Sequence, residues 1–316
     1  MRNRGHVGLA LTLSSVTLWA CAPGATEETS LLRGDQAFAQ GNYEEALAEY
    51  RLLVRQGSDD PMALARVAHT YAMMDRVDDA GSYYLQAVSR DSALVDQAVS
   101  DLMRLARDAR ARSDGFAMAS ASETALRLRP GLGVSDLSLD LARHYFQNGE
   151  FGRALPFYQK ALGEATDSAA DVVFEVGQAH EEIGDCSHAL VFFERFRGMV
   201  RRWERGEVDW YIGTCAFNLA REILAGLDPT EDDLEDALAQ LDRVLELGEP
   251  RNVQAQAWFD KGEILSELGQ CSAAMEAYAQ VRYADAAGAL VERAQERFDE
   301  IRFGPGGESL AGGRCR

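Results

Sequence analysis

The sequence predicts an all-α chain of stacked helix pairs, and three observations predict it. The first is composition. Of 316 residues, 47% are hydrophobic and only 7 are Pro. Ala, Leu, Arg and Glu dominate and long β-branched alternation is absent, a balance that favours helix. The second is the stretch Gly149–Leu162, GEFGRALPFYQKAL. Gly149 turns the chain, Phe151 plugs the turn, Ala154 and Ala161 let a neighbouring helix approach, and Tyr158 fills the space between. The third is recurrence. Related cores centre on Ala46, Ala80, Ala189, Ala237 and Ala274, with a weaker one at Met118. The steps from Ala46 to Ala80 and from Ala154 to Ala189 are nearly equal, a period typical of stacked helical repeats. A helix pair cannot bury its whole apolar face alone, so pairs that recur at this period stack into one long core.

Residues 1–20 stand outside the fold. Arg2 and Arg4 precede the apolar run Val7–Ala20, which is too short to span a bilayer as a mature helix. Leu18-Trp19-Ala20-Cys21 follows and resembles a bacterial lipobox, in which the Cys becomes the lipidated first residue. The alternatives are a secretory cut after Ala20-Cys21-Ala22 and an uncleaved anchor. With Ala22 rather than Asp after the Cys, the resemblance implies the outer membrane, periplasmic face. The soluble periplasm or secretion is the destination under the plain cut. Residues 21–29 read as a short polar tether that keeps the first repeat near the membrane.

Without the leader, 30 basic residues stand against 51 acidic ones, a net charge of −21. So acidic a chain is not expected to bind nucleic acid. It repels an anionic membrane surface except where a lipid holds it.

Residues 30–283 resemble a tetratricopeptide repeat array, a series of helix–turn–helix units of about 34 residues each. That family's pattern has a small residue at position 8, an aromatic at 11, Gly at 15, Ala at 20, an aromatic at 24 and Ala at 27. Repeat 1 has Gly34, Gly41, Ala46, Tyr50 and Leu53; repeat 2 has Ala68, Tyr71, Ala80, Tyr84 and Ala87. Repeat 3 is degenerate, with Ala106, Met118 and Ala125 in place but Ser113 and Ser122 replacing the Gly and the aromatic. Repeat 4 is the stretch around Gly149, preceded by Ala142 and Tyr145. Repeat 5 has Gly177, Gly184, Ala189 and Phe193, with His180 at the first aromatic position. In repeat 6, Gly213 and Ala237 stand twice as far apart in the chain as positions 8 and 20 of the pattern, so Arg221–Asp232 is inserted. Its first helix is expected from Trp203 to Leu224, broken by Gly226, Asp228 and Pro229, with Thr230 capping the second helix. Repeat 7 has Gly262, Gly269, Ala274 and Tyr278. Residues 284–302 read as an amphipathic capping helix, with Leu290, Ala294, Phe298 and Ile301 on one stripe. Residues 303–316 read as a flexible Gly-rich tail. The fold class is therefore an α-solenoid of about seven repeats with a C-terminal cap.

In this register Cys186 lies at position 17 of repeat 5 and Cys215 at position 10 of repeat 6, on neighbouring antiparallel helices at one level. A Cys186–Cys215 disulfide is expected, as is Cys271–Cys315 if the tail returns to repeat 7. Four free thiols is the alternative. His180, Cys186 and His188 cluster around one helix turn; His180 reads as core and His188 as surface, so no metal and no cofactor are expected. With no metal motif such as HExxH and no Gly-rich phosphate loop, the sequence offers no active site.

The resemblance implies a concave surface lined by positions 2, 5, 6, 9, 12 and 13 of each first helix. At these positions stand Arg66, His69, Arg104, Arg107, Arg110 and Arg143, then Asp136, Asp140, Asp171, Glu175, Glu181, Glu182, Asp260, Glu263 and Glu267. Phe146, Phe174, Trp210, Tyr211, Phe217 and Phe259 interleave. The expectation is a groove, basic toward one end, that binds a protein or peptide partner with an acidic or C-terminal segment. The family's carboxylate clamp is not matched, because its Lys and Asn are missing. The function implied is a lipid-anchored periplasmic scaffold in envelope assembly: outer-membrane, secretion or pilus machinery. The alternative is an accessory glycan- or cell-wall-binding module gripping sugar with Trp210, Tyr211 and Phe217.

Overall fold

The computed structural model describes residues 23–57, 60–164, 170–303 and 315. Fifteen α-helices lie among them, in two compact units divided between Leu132 and Gly133. The first unit holds three helix pairs: α1 (Pro23–Ala39) with α2 (Tyr43–Arg55), α3 (Pro61–Met73) with α4 (Val77–Arg90), and α5 (Val95–Ala111) with α6 (Gly115–Leu128). The second holds four: α7 (Ser138–Gln147) with α8 (Phe151–Glu164), α9 (Ala170–Glu182) with α10 (Cys186–Met199), α11 (Gly206–Leu224) with α12 (Glu231–Leu247), and α13 (Gln254–Glu267) with α14 (Cys271–Ala284). A last helix, α15 (Leu290–Phe303), packs on α14. Within each unit, every second helix also packs on the first helix of the next pair. No helix among the described residues is long and apolar enough to cross a membrane.

One turn geometry joins the helices of the six regular pairs. Position 15 has a left-handed backbone in each: Gly41, Asp75, Ser113, Gly149, Gly184 and Gly269. The next residue sends its N–H back to the carbonyl at position 11, as in Asn42 to Ala37, Asp114 to Ala109 and Asp185 to His180 at 2.8–2.9 Å. This bond satisfies an otherwise orphaned carbonyl at the helix end. Position 16 then starts the second helix, and the Asp114 and Asp185 side chains accept from Ala117 N and His188 N. Glycine takes this conformation without strain; Asp75 and Ser113 do not.

The core follows from one contact. In repeats 1, 5 and 7 the position-24 ring packs directly against the glycine at position 8. A methyl group added at Gly34, Gly177 or Gly262 would sit 2.5–2.6 Å from the rings of Tyr50, Phe193 or Tyr278. Tyr84, Tyr158 and Phe193 are fully buried, as are Ala46, Ala80, Ala154, Ala189, Ala237 and Ala274.

The irregular parts behave differently. In repeat 6, Gly213 is closed in by backbone: an added methyl would collide with the Glu249 carbonyl oxygen and lie 2.8 Å from its carbon. The inserted residues lengthen both helices, which run 19 and 17 residues. The Thr230 cap forms as expected, with Asp233 completing a capping box. Helix α11 starts at Gly206 rather than Trp203, because Arg202–Glu204 makes a separate 3-10 turn. The capping helix begins at Leu290, and the tail contributes Cys315, buried against α13 and α14. The stretch read as a tether is helical from Pro23 onward, as part of α1. Residues 1–22, including Cys21, lie outside the described residues.

Two substitutions test this account in urea titrations. Gly213→Ala lowers stability by about 3 kcal/mol, because a backbone carbonyl cannot move aside as a ring can. Ser113→Gly raises it by about 1 kcal/mol, because it removes a left-handed non-glycine residue.

Candidate functional site

The position-24 tyrosines do more than fill space. Each is buried, and its hydroxyl donates to a carboxylate carried by a first helix. Tyr50 donates to Asp35 at 2.6 Å, Tyr84 to Asp101, Tyr158 to Glu175 at 3.0 Å and Tyr278 to Glu263 at 2.6 Å. Each carboxylate also takes a basic partner from an adjoining helix pair or from the cap. Arg66 Nε reaches Asp35 at 3.1 Å, and His69 Nδ1 reaches Asp101 at 2.6 Å. Arg143 Nε holds both oxygens of Glu175 at 3.0 and 3.1 Å while its Nη2 holds Asp171 at 2.9 Å. Arg297 of α15 reaches both oxygens of Glu263 at 2.8 and 3.2 Å. In each case the two partners come from neighbouring repeats, about one repeat length apart in the chain. One repeat is thus laced to the next by a tyrosine, an acid and a base.

The electrostatics agree. Burial, together with the adjoining carboxylates, pushes the phenols of Tyr50, Tyr84, Tyr158 and Tyr278 well above their ordinary range, so they stay donors. Hydrogen bonding to Glu175 is the main cause raising Arg143. Burial, the largest single influence on Asp101, pushes its carboxyl up. The hydrogen bonds from His69 and Tyr84, with the charges of His69 and Arg104, outweigh it and hold the group below the usual range.

The expected basic half therefore looks different in three dimensions. Asp35 and Asp101, outside the expected lining set, face Arg66 and His69. Repeat 3 is also displaced. The step from Ala68 to Ala106 is longer than the regular repeat by about one helical turn, and the extra residues form a 3-10 turn at Ser92–Leu94 and lengthen α5. Asp101, one turn before Arg104, consequently meets the tyrosine. Arg104 instead reaches the Ala72 carbonyl at 3.0 Å and Asp108 at 3.0 Å. Arg107 and Arg110 are exposed on α5. A cavity of about 180 Å³ opens beside Arg66 and His69, lined also by Phe38, Met62 and Ala65.

In the second unit the lacing is interrupted at repeat 5. Phe193 has no hydroxyl, and at position 9 Gln178 donates to the Tyr211 hydroxyl at 2.9 Å. Aromatic packing stands where the tyrosine–acid–base group would be, and the Arg197–Asp209 ion pair at 2.5 Å still joins α10 to α11. Phe174 lies 4.7 Å from Phe196 and 5.5 Å from Tyr211, and Tyr211 stacks on Phe193 at 5.0 Å and 25°. Trp210 stands edge-on to Tyr211 at 5.2 Å and keeps 43% of its surface exposed. Phe146 packs against Phe151 and Tyr158, away from this group. At the following step Thr214 Oγ1 is buried without a hydrogen-bond partner. Burial pushes the Asp260 carboxyl up, and its nearest cation, Arg221, is 3.6 Å away. Asp171 and Glu175 belong to the Arg143 group, and Glu263 to the Arg297 group. Asp140 lies on α7, Glu181 and Glu182 on α9 and Glu267 on α13, while Asp136 falls in the 3-10 turn before α7.

The cysteines brace this region. Cys186 and Cys215, expected to pair, are joined with Cα atoms 5.0 Å apart, in the buried cluster against which Phe174 and Tyr211 pack. Cys271 is joined to Cys315 at 5.5 Å, and the Cys315 N–H donates to the Ser266 carbonyl at 3.0 Å. Cys186 is therefore no thiolate ligand for His180 and His188; Asp185 stands with them instead.

A tetratricopeptide repeat profile matches residues 31–94, 103–171 and 139–196, and a second profile of that description matches 255–287. No curated protein sequence matches the chain. Among solved structures it is similar to the MamA protein, at 19% identity over 55% of this chain and 91% of that one, TM-score 0.31. It is similar to the C-terminal part of a repeat-containing protein from Cytophaga hutchinsonii, at 14% identity over 84% and 98%, TM-score 0.32. It is also similar to the TPR2AB domain of yeast Sti1 in its pHSP90 complex, at 13% identity over 87% and 98%, TM-score 0.31.

The lacing has a pH signature. Asp101 is more acidic in the fold than in the unfolded chain, so its stabilisation is present above the unfolded carboxylate range and is lost as pH falls through the folded value. Asp101→Asn costs about 1–3 kcal/mol at neutral pH. Its deficit against the parent shrinks in thermal melts taken below about pH 4.

Proposed function

Because the chain belongs to the tetratricopeptide repeat family, whose members are scaffolds for protein–protein interaction, we propose that it is a lipid-anchored periplasmic scaffold. Its partner binds across the inner face of repeats 5 and 6. The observation that carries this reading is the interruption of the lacing. Around Tyr50, Tyr84, Tyr158 and Tyr278 the acids, bases and tyrosines satisfy one another. Here Phe174, Tyr211 and a Trp210 that keeps 43% of its surface in water stand where such a group would be, beside the Arg197–Asp209 ion pair that joins the two repeats. Exposed aromatics over a rigid base are the residues that anchor protein partners. The Cys186–Cys215 bond supplies the rigidity by joining the two repeats beneath the patch.

The partner presents an apolar anchor for Trp210. In the first unit, taken by itself, the exposed Arg107 and Arg110 of α5 suit an acidic or C-terminal segment. The glycan-binding alternative asks for several open ring faces. Tyr211 is stacked on Phe193 and Phe217 is packed in the core of repeat 6, so the patch offers Trp210 alone. That favours a protein partner. The reading includes no catalysis.

The N-terminal residues support the location. A positive start, the apolar run Val7–Ala20 and Cys21 fit export and lipidation, and they favour the outer membrane, periplasmic face. Envelope assembly is the setting proposed.

Two experiments test this. A photo-crosslinking residue in place of Trp210 captures a protein partner in native membranes, whereas one in place of Val191, exposed on α10, does not; equal capture from both overturns the inner-face assignment. Cys21→Ala shifts the protein from the membrane fraction to the soluble fraction, and retention of the variant in membranes overturns the anchor.

A further inference from the structure

Repeat 5 holds a cluster that neither the core nor the inner face requires. His180 occupies position 11, where the repeat pattern has an aromatic residue. Asp185 caps α10, and His188 follows in its first turn. His180 Nδ1 lies 3.1 Å from Asp185 Oδ2, and His188 Nδ1 lies 2.8 Å from the same oxygen. One ligand-type atom from each of the three falls within 4.8 Å of the other two. The cap itself needs only the bond from His188 N to Asp185 Oδ1 at 3.2 Å. It does not call for two imidazoles converging on one carboxylate.

We propose that His180, Asp185 and His188 form a binding site for one divalent transition-metal ion of the zinc type. Neutral imidazole nitrogens with one carboxylate oxygen are the donor set that zinc, nickel, cobalt and copper share. The site is prepared on one side and adjustable on the other. The His180 side chain is 8% exposed, and its ring is stacked on Phe192 at 5.5 Å and 12°. His188 is 68% exposed, and its ring stacks on His180 at 5.2 Å and 21°. An ion must lie in the plane of each ring, so His188 swings out of the stack to meet it. Bonds of about 2.0–2.2 Å put ligand atoms roughly 3–3.5 Å apart. The widest gap therefore closes by about 1–2 Å, a shift that an exposed side chain accommodates.

The ligands come from both sides of the turn at Gly184, so the ion clamps α9 to α10. This second clamp lies one residue from Cys186, whose disulfide ties repeat 5 to repeat 6. An ion that binds the folded site alone stabilises the fold. The remaining coordination positions face water on the His188 side and hold exchangeable ligands.

The test uses the full chain, purified without a histidine tag, titrated with zinc chloride by calorimetry and followed by thermal melts. One ion per chain binds saturably and raises the melting temperature. His188→Ala and Asp185→Asn each weaken binding by more than about tenfold, whereas His144→Ala, on the surface of α7, binds as the parent does. Both ligand variants keep the fold, because His188 is exposed and Asn caps helices as well as Asp; circular dichroism checks this. The site is overturned if the parent shows no saturable binding, if the two ligand variants bind as the parent does, or if His144→Ala is the variant that loses the ion.

Discussion

The fold depends on a ring lying on a residue with almost no side chain. Gly34, Gly177 and Gly262 sit against Tyr50, Phe193 and Tyr278 closely enough that one methyl group would push the ring away. That contact fixes the separation of the two helices in these three pairs. It also fixes where the far end of the ring comes out. Where the ring is Tyr, its hydroxyl reaches the inner face and needs an acceptor, because a buried donor left unpaired is costly. Asp35, Asp101, Glu175 and Glu263 supply one. A carboxylate placed there needs a cation in turn, and the adjoining helix supplies Arg66, His69, Arg143 or Arg297. Core packing, inner-face charge and repeat-to-repeat bonding are one connected set.

The set explains where the molecule is left open. Phe193 has the ring but no hydroxyl, so the chain of acid and base has no starting point at repeat 5. The neighbouring positions are aromatic, and the Cys186–Cys215 bond together with the Arg197–Asp209 ion pair joins the two repeats. Repeat 6 then carries a pair of lengthened helices and an unpaired Thr214. A surface stabilised by its own ion pairs has little to offer a partner, since binding must first break them. A surface stabilised from beneath, by packing and a disulfide, keeps its outer atoms available.

The register was legible because its signals are local. Small residues at positions 8 and 20 and a turn residue at position 15 recur in the sequence, and the turns formed where they stand. The Cys186–Cys215 pair follows from the same register, whereas the Thr230 cap was legible from its own local sequence and Cys271–Cys315 depended on the tail returning. The charge pattern was legible only in part. Listing inner-face positions finds Arg66, His69 and Arg143, but it treats each as a free charge. Their partners lie a whole repeat away in the chain, and the linking tyrosines were assigned to the core alone. A signal was present: Asp35 and Glu263 stand at one fixed interval before their tyrosines, and Asp101 and Glu175 at another fixed interval after theirs. Repeat 3 escaped because its longer step moves α5 by about a turn, which no small residue marks.

The sequence by itself determined the helix pairs, their turns and the order in which they stack, because backbone geometry and side-chain size act over a few residues. Only the tertiary structure decided which charges are spent on holding repeats together and which ring faces remain in water. It also decided that Asp185, rather than Cys186, stands between His180 and His188. The inter-repeat pairings depend on distances between residues a full repeat apart in the chain, and a difference of one helical turn, about 5.4 Å, reassigns every partner.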